Sequence, residues 1–194
     1  MVENVQHSTF EVAVMTRPLR YNTVAIALHW TLALLIIFMV FFGEGLMEME
    51  DDGVTASTFL PSLHVSIGVT ILVLPVLRLV WRLMNPPPPL PVTIKPWEVG
   101  HSHAMHRAFY MLLIGIPLLG WLAIPEFLTD EPAMSAISAF GVGLPQAPDF
   151  GIDAKELQEI GSNIVMVLVI LHVLAALKHQ FVDRDALLKR MRPL

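Results

Sequence analysis

Residues 161–180 read GSNIVMVLVILHVLAALKHQ, with no charge before Lys178. A helix of about 20 apolar residues is what it takes to cross the hydrocarbon core of a bilayer. His172 lies inside the run. An ionisable residue at that depth is a functional signal, because an imidazole without partners in hydrocarbon costs free energy. A neighbouring helix, water or a metal must take up its ring nitrogens.

The composition around this stretch has the same character. Of 194 residues, 55% are hydrophobic and 15% charged, and the mean hydropathy is +0.63. These values describe a membrane protein rather than a water-soluble domain. Residues 1–20 contain Glu3, His7, Glu11 and Arg17 and lack the apolar core of a signal peptide, so the N-terminus is expected to stay where it is made. The sequence contains no cysteine, which excludes disulfides, thiolate-ligated metals and thioether-linked haem. Nothing in the charge pattern suggests nucleic-acid binding.

Residues 1–19 read as a tail and residues 20–194 as a single membrane domain. The first span starts after Tyr21, with Asn22 or Thr23 as N-cap, runs uncharged to Gly43 and carries His29 beside Trp30. An acidic loop follows, with Glu44, Glu48, Glu50, Asp51 and Asp52. The second span covers about Thr58 to Leu83, with His64 early, Pro75 inside and Arg78 and Arg82 late. Asn85 to Pro91, NPPPPLP, is a stiff extended linker. The third span is expected from about Ala104 to Ile124, opened by His101, His103 and His106 and bent at Pro117. The long acidic loop after it is expected to hold a short helix over Ala133–Phe140 and another starting at Asp153, before the fourth span. The fold class is therefore all-α, a four-transmembrane-helix bundle.

Eleven of the twelve Lys and Arg residues lie before span one, at the junction of spans two and three (the last turns of span two included), in the first turns of span three or around the end of span four; Lys155 is the exception. The positive-inside rule then places both termini in the cytoplasm and the acidic loops outside. With that orientation, His29 and His172 sit level, each about two turns inside the cytoplasmic boundary, and His64 lies near the outer one. Two imidazoles at one height on different helices can ligate one metal from opposite sides, as in a bis-histidine b haem. Arg78 is level with them, placed either to pair with a haem propionate or to snorkel as an anchor. His103 and His106 share a helix face, whereas His101 does not, so this trio points to an interfacial or quinone-adjacent role more than to a metal cluster.

The segments RYNTVAIALHW, LHVSIGVTILVLPVLRLVWRL with PPPPLP after it, HAMHRAFYMLLIGIPLLGW and LHVLAALKHQFVDRDALLKRM resemble, in order, those of the bacterial cytochrome b561 family of four-span membrane cytochromes. The family is related to the b subunits of membrane hydrogenases and formate dehydrogenases. The resemblance implies electron transfer in the bacterial inner membrane through b haems, commonly linked to the quinone pool, with a haem near each face. His29 and His172 match the inner-haem ligands and His64 one outer ligand. Gln158 stands where the family places the other outer histidine, leaving an outer haem absent, five-coordinate on His64, or completed by Met47, Met49 or Met134.

The reading is a b-type cytochrome passing electrons between quinone and a redox partner protein, with a homodimer expected from the resemblance. His103, His106, Arg78, Lys178 and His179 are the candidate residues of the quinone region. Three alternatives are an electron-wire or anchor subunit of a larger oxidoreductase, superoxide oxidation coupled to ubiquinone, and a haem-free transporter lined by histidines. The acidic outer loops would repel superoxide, and the transporter predicts no haem.

Overall fold

The computed structural model describes residues 20–47, 58–91, 94–125, 137–145, 147–185 and 187–193. The expected tail over residues 1–19, Met49 and Met134 lie outside them. Four helices are long and apolar enough to cross a membrane: α1 (Thr23–Phe42), α2 (Phe59–Met84), α3 (Pro96–Leu122) and α4 (Ala154–Lys178). Their outward faces carry residues such as Phe41, Leu83 and Met111 with no covering layer, as lipid-facing positions require.

α1, α3 and α4 start where side-chain chemistry meets the needs of the first turn. Asn22 Oδ1 accepts from Ala25 N at 2.8 Å and also from Trp81 Nε1 at 3.0 Å, so one amide oxygen caps α1 and ties it to α2. α3 begins at Pro96 rather than near Ala104, because Pro96 needs no amide partner and Glu98 Oε2 accepts from Lys95 N at 3.1 Å. Asp153 caps α4 by accepting from Glu156 N at 2.8 Å, so the helix expected from Asp153 and the fourth span are one continuous helix. α2 and α3 continue through Pro75 and Pro117.

The helix expected over Ala133–Phe140 is corrected where it is described. Residues 138–143 form a two-stranded hairpin, β1 (Ser138–Ala139) and β2 (Val142–Gly143). Phe140 and Gly141 reverse the chain at φ 51° and 77°. Positive φ at both central positions suits a two-residue hairpin and ends any helix there. The hairpin is held from outside: Ser138 N and Phe140 N donate to the hydroxyls of Ser62 and Ser66 on α2, at 3.2 and 2.9 Å.

The helices pack in the order α1–α2–α3–α4 around a ring, with α3 and α4 in the most extensive contact and α1 and α4 in sparse contact. Glycine explains the tight seam. A methyl group on Gly161 would come within 2.9 Å of Ile116 Cγ1, and one on Gly120 within 2.8 Å of Gln158 Nε2. Small residues of this kind let membrane helices approach closely.

Both described chain ends lie at one end of the bundle. Tyr21 N donates to Arg190 O at 3.2 Å, and the Arg20 guanidinium reaches the Arg192 carbonyl. We call this the terminal end and the opposite one the loop end.

Replacing Asn22 by Ala removes both the cap and the bond to Trp81. The expected cost is about 1–2 kcal/mol, read as a lowered unfolding temperature in detergent together with a shifted Trp fluorescence spectrum.

Candidate functional site

One spacing recurs on all four helices. On α1 the residues His29, Ile36 and Gly43 are seven apart, on α2 His64, Ile71 and Arg78, on α3 His106, Leu113 and Gly120, and on α4 Gln158, Val165 and His172. Seven residues advance about 10.5 Å and return to nearly the same helix face. Because the helices alternate in direction, these positions stack into three layers. His29, Arg78, His106 and His172 form the terminal-side layer. Ile36, Ile71, Leu113 and Val165, with Leu32, form a buried apolar middle layer. Gly43, His64, Gly120 and Gln158 form the loop-side layer.

The terminal-side layer gathers three imidazoles. The ring centres of His29 and His172 are 6.3 Å apart, those of His106 and His172 are 6.0 Å apart, and Phe109 packs on His172 at 5.7 Å. His29 and His172 make no hydrogen bond among the described residues. His106 does: its Nδ1–H donates to the Ser102 carbonyl at 2.6 Å, which leaves Nε2 with the free lone pair. Arg78 is half-buried, close enough for its charge to act on all three imidazoles, and forms no ion pair among the described residues. A cation so placed calls for an anion supplied from elsewhere.

This layer is capped at the terminal end. Trp30, whose ring lies 5.6 Å from that of His29, donates its Nε1–H to Met191 O at 2.7 Å. Arg190 Nη1 donates to Pro89 O at 2.5 Å. The 3-10 turn Leu188–Met191 is thereby strapped across the start of α1 and the proline linker.

The other residues assigned to the quinone region divide. His103 is exposed and does not join the imidazole group. Lys178 and His179 belong to an ion-pair clasp: the Lys178 ammonium lies 2.7 Å from Glu98 Oε1 and 2.6 Å from Asp183 Oδ2, and His179 Nδ1 lies 2.6 Å from Asp185 Oδ2. Donor atoms of Glu98, His179 and Asp183 fall within 4.8 Å of one another. The Lys178 ammonium already takes up two of these carboxylates, so the group fastens α3 to the end of α4 as an ion-paired clasp.

Sequence reading found the level pair His29 and His172, but not that His106 packs against His172. The signal was present in the seven-residue spacing of His106, Leu113 and Gly120. On the loop side, His64 Nδ1–H donates to the carbonyl of Gly43 at 2.8 Å, and the Gln158 amide nests on Gly120.

The sequence profile of the family described as prokaryotic cytochrome b561 matches residues 20–193. Among curated relatives, the chain is 34% identical to cytochrome b561 homolog 2 of Escherichia coli, over 90% of this chain and 92% of that one. It is 31% identical to the probable superoxide oxidase CybB of Yersinia pestis, over 90% and 96%. It is 30% identical to cytochrome b562 of Cereibacter sphaeroides, over 91% and 98%.

Trp30→Phe deletes the indole donor to Met191. The C-terminal turn is expected to release, seen as several-fold faster tryptic cleavage after Lys189 and Arg190, with the helical circular dichroism unchanged.

Proposed function

Because the chain belongs to the prokaryotic cytochrome b561 family, it is a bacterial multi-pass membrane b-type cytochrome of electron transfer, and we propose that His29 and His172 hold its haem. The supporting observation is their geometry. Metal–nitrogen bonds of about 2 Å on each side set two imidazole centres on the order of 6 Å apart, and the observed separation is 6.3 Å. Neither ring has a hydrogen-bond partner among the described residues, and the α1–α4 seam between them is the sparsest in the ring. The residues therefore fit a bis-histidine b haem. When bound, that haem supplies one-electron chemistry.

The chain's own residues set the surroundings. Arg78 would hold a haem propionate, and its positive charge would favour the reduced iron electrostatically. Phe109 and the middle layer exclude water from the loop-facing side, and Trp30 with the C-terminal turn covers the terminal side. The terminal end, rich in Lys and Arg, faces the cytoplasm of the inner membrane.

Quinone is the small-molecule partner in this reading, bound beside His106. His106 Nε2 is free to accept a proton from a quinol hydroxyl and to return it to a quinone. Arg78 is the second candidate for the quinone region. Lys178 and His179, held in the clasp, shape the rim of that region, and His103 lies outside it. A redox partner protein docks at the same end, and two copies of the chain form a homodimer. The acidic residues of the loop end disfavour an anionic substrate there, so superoxide oxidation ranks behind quinone-linked transfer.

In the test, His29→Ala and His172→Ala each abolish the haem absorption of the purified protein, while His106→Ala keeps it and slows quinone-linked turnover. Unchanged haem content in His172→Ala would rule out the ligand assignment. Arg78→Gln is expected to retain the haem and lower its midpoint potential by tens of millivolts in redox titration, because a cation that stabilises the reduced form is gone.

A further inference from the structure

The loop-side layer differs from the terminal-side layer in its chemistry and in where its side chains turn. It offers one imidazole, His64, where the terminal side offers three. Gln158, seven residues beyond Val165 on the His172 face of α4, ends in an amide, a poor ligand for haem iron. Nor do the two polar side chains of this layer converge. His64 leans to α1, where its Nδ1–H donates to the Gly43 carbonyl at 2.8 Å, so that Nε2 alone is left to face the layer's interior. Gln158 leans to α3, its amide filling the notch left by Gly120, where even a methyl group would lie 2.8 Å from Nε2. α1 and α3 stand at opposite corners of the ring. In the terminal-side layer the two free imidazoles instead sit 6.3 Å apart with nothing else to bond.

The bond made by His64 has a structural purpose. Gly43 is the C-cap of α1, and the helix leaves its last carbonyls without amide partners. His64 satisfies one of them from the neighbouring helix, at the point where the chain turns out of the apolar layer. The bond clasps α1 to α2 whether or not a metal is present; it leaves His64 Nε2 as the one imidazole nitrogen of this layer, and Gln158 supplies no second one.

We propose that this chain carries a single haem, in the terminal-side layer, and that the loop-side layer is a closed structural layer in which His64 is a helix clasp and Gln158 a packing residue. The inference rests on the haem reading given above and disagrees with the family expectation of a second haem. Its consequence is directional. The His172 and Gln158 layers are about 21 Å apart along α4, and no redox group spans that distance. Electron donor and acceptor must both reach the protein at the terminal end. A reductant confined to the loop side, superoxide included, is not a substrate.

The test uses the full chain purified in detergent after expression with excess haem. Haem per chain is measured by pyridine haemochrome, and the reduced protein is exposed to carbon monoxide, which binds five-coordinate but not bis-histidine haem. The expected result is about one haem per chain, no spectral change with carbon monoxide, and the same haem content in His64→Gln and His64→Ala. His64→Gln keeps an amide donor for Gly43 and so keeps the fold if His64→Ala does not. A ratio near two, a carbon monoxide shift lost in the His64 variants, or a fall in haem in a folded His64 variant would overturn the single-haem assignment and leave the His29–His172 site standing. Wild-type protein without haem would overturn both.

Discussion

Seven residues of α-helix rise about 10.5 Å and come back to within about 20° of the starting face, and that spacing, repeated on four helices of alternating direction, organises this protein. It converts one-dimensional positions into layers perpendicular to the bundle axis. Ile36, Ile71, Leu113 and Val165 become one apolar plane because each is seven residues from a polar or glycine position on both sides. The plane separates two chemically different compartments. On one side three imidazoles and an arginine converge, two of the imidazoles and the arginine without a hydrogen-bond or ion-pair partner among the described residues, and on the other a histidine and a glutamine are each turned to a neighbour.

Within a bilayer this difference matters more than it would in water. Lipid offers no hydrogen bonds, so polar groups in the spans must be satisfied by the protein or by what it binds. On the loop side the protein does so itself, through the Gly43 carbonyl and through Ser62 and Ser66, whose hydroxyls accept the hairpin amides. On the terminal side it does not. Among the described residues His29 and His172 make no hydrogen bond and Arg78 has no carboxylate, while Lys178 nearby has two. The groups left unsatisfied are a pair of imidazoles and a cation, and the haem proposed for them, with its propionates, would meet both demands together.

Much of this was legible in the sequence because membrane spans announce themselves by length and hydropathy. The four helices and the level pair His29 and His172 follow from counting residues inward from Arg20 and Lys178. Other features were not legible, for reasons that differ. The start of α3 at Pro96 was hidden because Lys95, Trp97 and Glu98 are as common at a membrane interface as in a helix cap. The hairpin at residues 138–143 depends on hydroxyls 76 and 74 residues away, a contact no local propensity encodes. The place of His106 beside His172 required knowing that α3 and α4 adjoin. The separation of Lys178 and His179 from the imidazole group depends on Asp183 and Asp185, which the helix reaches only by loosening into the wider π-turn His179–Asp183.

Glycine accounts for the tightest seam of the bundle, the one opposite in character to the α1–α4 seam. α3 and α4 interlock at Gly161 against Ile116 and at Gly120 against Gln158, and both contacts lie in the loop-side half of α4. From Ser162 to Lys178, α4 has no glycine, and neither has α1 anywhere between Thr23 and Phe42. The two helices that bear the paired imidazoles thus keep full side chains where they face one another and cannot close to glycine-contact distance. A planar group enters a bundle only where helices are held apart by side chains and together by something else. Here the something else is the C-terminal turn, bonded to Tyr21 and Trp30 on α1 and continuous in sequence with α4. The strap holds α1 and α4 in register across the gap, so the separation of His29 and His172 is set by the fold before any ligand binds.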